Sequence, residues 1–176
     1  LEMFGRNEDG WRRHAKAQLA REAAAAEGRE GAADLAAART RCATAVELAA
    51  LYRTYETHGL AYGPAFRALA GLWRGDGEVV AEIVRPREAA AGAYALHPVL
   101  LDACFQAAGA VFAGTEAVFL PVRAARWTVL REAGDRGWCH ARAKQTAEGA
   151  SVDLTLFDAE GRVAARLEQL ALQRAT

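Results

Sequence analysis

One segment constrains the fold more than any other: from Pro98 to Phe112 the chain reads PVLLDACFQAAGAVF, apolar nearly all round, with Asp102 and Gln106 its only strongly polar side chains. Pro98 suits the first turn of a helix, where its missing N–H is not needed. A helix without a polar face has to be covered on most sides, and Gly109 with its flanking alanines lets a sheet or another backbone come close. With 176 residues and 52% hydrophobic content there is material for one ordinary core. The expectation is a single buried helix with the other elements wrapped round it.

The flanking sequence supplies the wrapping. A helix is predicted after a Thr44/Glu47 capping box, with Leu48, Leu51, Tyr52 and Tyr55 on one face and with His58 and Gly59 at its C-terminal end. A turn-like segment, Tyr62-Gly63-Pro64-Ala65-Phe66, precedes a hairpin from about Leu69 to Val84 folded at Gly75-Asp76-Gly77 and closed by Pro86. After the apolar helix, strands are predicted over 117–130, 137–144, 151–157 and 162–172, the last two joined by a turn at Asp158-Ala159-Glu160-Gly161. Val163, Ala165 and Leu167 alternate cleanly, whereas Leu170 and Leu172 fall out of step, which predicts a β-bulge near Glu168. At the other end, Trp11 to Leu19 reads as a strand, and 21–40, rich in Ala, Glu, Arg and Gly, reads as a solvated, partly helical linker. The class is α+β: an antiparallel sheet around a buried central helix, occupying residues 41–176.

Charge and cysteine usage exclude several functions. Lys+Arg and Asp+Glu both number 22, so no basic footprint invites nucleic acid or an anionic membrane surface. Cys42, Cys104 and Cys139 are odd in number, far apart and without a C-x-x-C pair, which argues against a disulfide framework and against a zinc site and fits a reducing cytoplasm. No apolar stretch approaches the roughly 18 to 20 residues needed to span a bilayer. The chain opens at Leu1 and begins as though already under way, as expected of a piece excised from a larger polypeptide.

Asp102 and Gln106, four residues apart, share one face of the apolar helix. A buried carboxylate costs several kcal/mol unless it is paired. Two readings stand at this point: a favourable contact with the helix N-terminus, or a carboxyl whose pKa is raised by its apolar surroundings so that it keeps a proton for donation. Gln106 can hydrogen-bond the carboxyl in either case.

Three segments in order bring in a family. Gly59-Leu60-Ala61-Tyr62-Gly63-Pro64-Ala65-Phe66, then Leu96-His97-Pro98-Val99-Leu100-Leu101-Asp102-Ala103-Cys104-Phe105-Gln106, then Leu120-Pro121-Val122 resemble the G-x-x-Y-G-P-x-F, H-P-x-L-L-D-x-x-x-Q/H and L-P-hydrophobic segments of the dehydratase domains of modular polyketide synthases. The resemblance covers about residues 40 to 175 and implies the second half of a double hotdog fold, with 1–20 similar to the end of the preceding hotdog. The family's catalytic base is a histidine in an H-x-x-x-G-x-x-x-x-P motif, and none of His14, His58, His97 or His140 has that context. The N-terminal hotdog half would have to supply it.

Carried over by resemblance, Asp102 is the general acid and Gln106 orients it. Tyr62, Gly63, Pro64 and Phe66 line the substrate site, Leu120 and Pro121 form its wall, and His97 shapes the entry to the helix. The implied activity is that of a hydro-lyase removing water from a β-hydroxyacyl thioester in secondary metabolite biosynthesis. No metal or diffusible cofactor is implied, because the substrate rides on the phosphopantetheine arm of an acyl carrier protein. The implied partners are that carrier, the other domains of the synthase, and a second copy in a homodimer. A double-bond isomerase or cyclase of the same build, or an inactive scaffold, remains an alternative. Cys104, with no basic neighbour in sequence, reads as a buried structural thiol rather than a nucleophile.

Overall fold

The computed structural model describes residues 1–8, 10–20, 30–112, 118–146 and 149–174. Two strands, β1 (Glu2–Asn7) and β2 (Gly10–Lys16), pair antiparallel as a separate two-stranded sheet. The strand predicted from Trp11 therefore ends at Lys16, and its partner β1 is an element the sequence pattern did not reveal. Then come α1 (Glu30–Arg41), β3 (Thr44–Ala45), α2 (Leu48–Thr57), a 3-10 turn (Pro64–Phe66), β4 (Leu69–Arg74) and β5 (Glu78–Val84). The apolar segment forms α3 (Pro98–Ala110), followed by β6 (Phe119–Arg123), β7 (Arg126–Val129), β8 (Arg136–Thr146), β9 (Gly149–Asp158) and β10 (Val163–Arg174).

The eight strands from β3 onward form one antiparallel sheet in the order β3-β4-β5-β8-β9-β10-β6, with β7 also paired to β10. Its inner face presents Val79, Ala81 and Ile83 of β5, Cys139 and Ala141 of β8, and Val152, Leu154 and Leu156 of β9. They share one core with Val99, Leu100, Ala103, Cys104, Ala107 and Ala108 of α3. This is the hotdog arrangement: small residues on the sheet and on the helix allow the two to approach closely enough to bury α3 along its length. Among the described residues no helix is long and apolar enough to cross a membrane.

The opposite face of the sheet is also covered. Leu35, Ala38 and Cys42, on and just after α1, form a second core with Val80, Phe157 and Val163. Being buried on both faces, β5 carries the continuous run Val79-Val80-Ala81 rather than an alternation. Of the predicted solvated linker, 21–29 lie outside the described residues, and 30–41 are a helix docked on the sheet. Its alanine-rich sequence hid the few apolar side chains that do the docking. The Arg41 guanidinium, at the end of α1, forks onto the buried Glu78 carboxylate with Nη2 at 2.9 Å from Oε2, and the same oxygen meets His140 Nε2 at 2.7 Å.

Helix α2 departs from the predicted start. Thr44 pairs with Arg74 in β3, and the cap is Glu47, whose two carboxylate oxygens accept from the N–H groups of Ala49 at 2.9 Å and Ala50 at 2.8 Å. The longer Glu side chain serves both N–H groups alone, and Thr44 is free to extend the sheet. The far end follows expectation: Gly59 has φ +83°, and the N–H groups of Gly59 and Leu60 donate to the carbonyls of Glu56 and Tyr55. The single strand predicted over 117–130 is instead β6 and β7, with residues 113–117 outside the described set. They pair with the two halves of β10 on either side of an irregularity between Leu167 and Leu170. That is the bulge expected near Glu168: Gln169 takes φ +51°, and its N–H donates to Asp153 Oδ1 at 2.8 Å.

Candidate active site

Asp102 lies just past the first turn of α3, half-buried. Its Oδ2 accepts from Gln106 Nε2 at 2.7 Å, one helical turn on. The second hydrogen of that amide goes to the main-chain carbonyl of Phe66 at 3.0 Å, and the amide oxygen accepts from the Tyr52 hydroxyl at 3.1 Å. The Phe66 carbonyl can only accept, so it fixes which end of the amide is nitrogen. Tyr55 donates to the main-chain carbonyl of Gln106 at 2.7 Å. One residue thus ties α3 to α2 and to the 3-10 turn.

The aromatic rings close round this point. Tyr62 lies edge-on to Tyr55 at 5.4 Å and to Tyr52 at 6.0 Å between ring centres. Burial is the main reason the Asp102 carboxyl is pushed up from its ordinary value, and the Gln106 donation pulls it partway back. Burial, then the nearby Asp102 charge, pushes the Tyr62 phenol to about 12. Tyr52 is raised by burial as well. Burial shifts the Asp102 carboxyl toward its protonated form, the form that can donate a proton.

The sequence-predicted residues divide. Asp102, Gln106, Tyr62 and the Phe66 carbonyl come together, positioned by Gly63 and Pro64, which cap and begin the 3-10 turn. Phe66 itself is exposed, at 44%. His97 caps α3: its Nδ1 accepts from the Val99 N–H at 3.2 Å, which leaves the proton on Nε2 to donate to the Ala90 carbonyl at 2.9 Å. Leu120 and Pro121 lie on β6, which meets α3 near Gly109 and Phe112, with the Phe112 and Phe119 rings 5.0 Å apart. Seven residues of helix separate Gly109 from Asp102, about 10 Å of rise. Leu120 and Pro121 themselves are exposed on β6.

Tyr52 and Tyr55 count in the sequence only as members of an apolar stripe. The available signal was their hydroxyls, which need partners when buried. Each of the four histidines is engaged away from Asp102: His14 lies against Gly5 in the β1–β2 hairpin, His58 ends α2, His97 begins α3 and His140 pairs with Glu78.

A family model described as the polyketide synthase dehydratase N-terminal domain matches residues 30–176. This chain belongs to the polyketide synthase dehydratase family. It is similar to the spectinabilin polyketide synthase system protein NorB of Streptomyces orinoci, 35% identical over 183 aligned positions that take in all of this chain and 8% of NorB. Among solved structures, the dehydratase domain from the CurF module of curacin polyketide synthase superposes with a TM-score of 0.81 at 29% identity, over 99% of this chain and 63% of that one. An inactive CurK dehydratase mutant with a histidine-to-phenylalanine replacement gives 0.80 at 25% identity, again over 99% and 63%. This dehydratase-family chain therefore spans less than two thirds of these two dehydratase structures, and a small fraction of NorB.

Proposed function

We propose that this chain is the C-terminal, acid-bearing half of a polyketide synthase dehydratase, acting on a β-hydroxyacyl thioester carried by an acyl carrier protein. The observation that carries the reading is the half-buried Asp102 carboxyl, raised by burial and held on one oxygen by Gln106. The family model's description names an N-terminal domain. We place the chain second because the H-P-x-L-L-D segment bears the acid, while no histidine here has the context of the family's base.

In the proposed reaction, a histidine on the N-terminal hotdog removes the α-proton, which the neighbouring thioester carbonyl acidifies. Asp102 protonates the departing β-hydroxyl, one water leaves, and a double bond forms between the α and β carbons. The inactive CurK histidine mutant supports a requirement for such a base in this family. Tyr62 and the 3-10 turn after it flank the acyl chain near the acid.

The test joins this chain to its N-terminal hotdog half and supplies a β-hydroxyacyl thioester on a carrier protein. The expected product has lost one water, and Asp102→Asn removes at least a hundredfold of the rate, the usual scale of general-acid catalysis. Full activity in that variant, or a rearranged product of unchanged mass, overturns the reading.

A further inference from the structure

The Asp102 carboxyl has two oxygens, and the surrounding bonds make them inequivalent. Oδ2 is taken by the Gln106 amide nitrogen at 2.7 Å. That contact exists only while the amide keeps its nitrogen toward Asp102, and the atom on the other branch of the amide is held by Tyr52. The Tyr52 hydroxyl donates its hydrogen to Gln106 Oε1 at 3.1 Å. The Arg67 guanidinium lies 5.2 Å over the Tyr52 ring, and its Nε donates to the Tyr62 carbonyl at 3.0 Å, which fastens the ring's outer side to the same turn.

We propose that Tyr52 is a positioning residue: its hydroxyl, acting with the Phe66 carbonyl at the other branch, holds the Gln106 amide in place, which reserves Asp102 Oδ2 as an acceptor and leaves Oδ1 as the oxygen that carries the proton. The delivery of that proton to a leaving hydroxyl rests on the dehydratase reading above. The positioning itself does not. Among the described residues, the titratable groups facing Asp102 are Tyr62 from the turn segment, Tyr52 and Tyr55 from α2, and Cys104 from α3. Gln106 is the neutral donor among them.

Tyr55 provides the control, because it makes the same kind of bond to the Gln106 main-chain carbonyl and cannot orient the side chain. The experiment follows the Asp102 carboxyl by carbon NMR across pH in this chain, in Tyr52→Phe and in Tyr55→Phe. With the Tyr52 hydroxyl gone, the amide donation to Oδ2 weakens, and the Asp102 midpoint rises in Tyr52→Phe while Tyr55→Phe leaves it in place. An unmoved midpoint in Tyr52→Phe, or equal movement in both variants, overturns the proposal. Should Tyr52→Phe not fold, 3,5-difluorotyrosine at position 52 decides: the more acidic phenol holds Oε1 more tightly and lowers the midpoint, and no change overturns the proposal.

Turnover in the joined two-hotdog domain separates the two ideas. There Tyr52→Phe lowers kcat about fivefold, the worth of one ordinary hydrogen bond, with KM unchanged and the upper pH limb shifted the same way as the midpoint. No turnover in the unsubstituted protein would sink the dehydratase reading, while the NMR midpoint would still decide the positioning role.

Discussion

The Gln106 amide nitrogen donates to the Phe66 carbonyl at 3.0 Å, across 40 residues of chain. That bond joins the end of the Tyr-Gly-Pro turn to the acid-bearing helix, and the same amide group holds Asp102. Two segments that are separate in sequence are therefore one site in space. Gln106→Leu keeps the volume but strands the Phe66 carbonyl, the Tyr52 hydroxyl and Asp102 Oδ2. It is expected to lower stability by about 2 to 3 kcal/mol, the cost of unsatisfied buried polar groups. Urea unfolding of the variant measures that cost, and a loss within error of zero would show that water replaces the amide.

Asp102 carries a cost to the fold as well. Its carboxyl is raised in the folded protein, so the folded state holds this proton more tightly than the unfolded chain does. That contribution to stability is fully present below the unfolded value and is lost as pH rises through the folded one. Asp102→Asn cannot ionise. It is expected to melt higher than the unsubstituted protein at pH 8 and to approach it near pH 3, while losing activity. Thermal melts across that range check the sign, and a lower melting temperature for the variant at pH 8 would contradict the burial argument.

Glu78 runs the other way. The Arg41 guanidinium, with His140 behind it, holds its carboxyl down to about 2. Its stabilising contribution is present above the ordinary glutamate value of 4.5 and is lost as pH falls toward 2. Because the pair fastens α1 to the sheet, acid should release α1 first, seen as faster amide exchange along Glu30–Arg41 below pH 4. Glu78→Gln is expected to cost on the order of 2 kcal/mol, less than a wholly buried pair because Arg41 is about half exposed. Unchanged exchange in α1 at pH 3 would mean that the apolar contacts of Leu35 and Ala38 suffice.

How much of this was legible depended on whether the signal was local. The Pro98–Phe112 run, the hairpin glycines and the bulge each leave a mark within a dozen residues, and each was readable. The 21–40 segment reads as partly helical, but the docking of α1 does not show, because Leu35 is its one large apolar side chain and alanine buries without announcing a face. Strand β1 was missed because Glu2, Met3, Phe4 and Arg6 remain exposed on a hairpin whose sheet is separate from the main one. In the site, a polar residue within an apolar run exposed Asp102 and Gln106. Tyr52 and Tyr55 passed as apolar, since only the three-dimensional fold shows where their hydroxyls point.

The close approach of α3 to the sheet gives the last expectation. Ala103 and Ala107 have no exposed surface and share a core with Ala81 and Ala141, which are equally buried. Small residues on both sides set the helix-to-sheet distance, so enlarging one of them must push the layers apart or force a side chain off its rotamer. Ala103→Leu is expected to cost about 1 to 3 kcal/mol. It should also disturb the site, because Ala103 adjoins Asp102 and any outward shift of α3 stretches the Gln106 bond to the Phe66 carbonyl. Leu154→Ala, on β9 in the same core, is expected to cost about 2 to 5 kcal/mol by leaving a cavity, and with no added volume to push α3 outward it should spare that bond. Denaturant unfolding gives both losses, and the Asp102 NMR midpoint separates them: it should move in the first variant and stay in the second. Equal midpoints would mean that the core absorbs the extra volume without moving the helix.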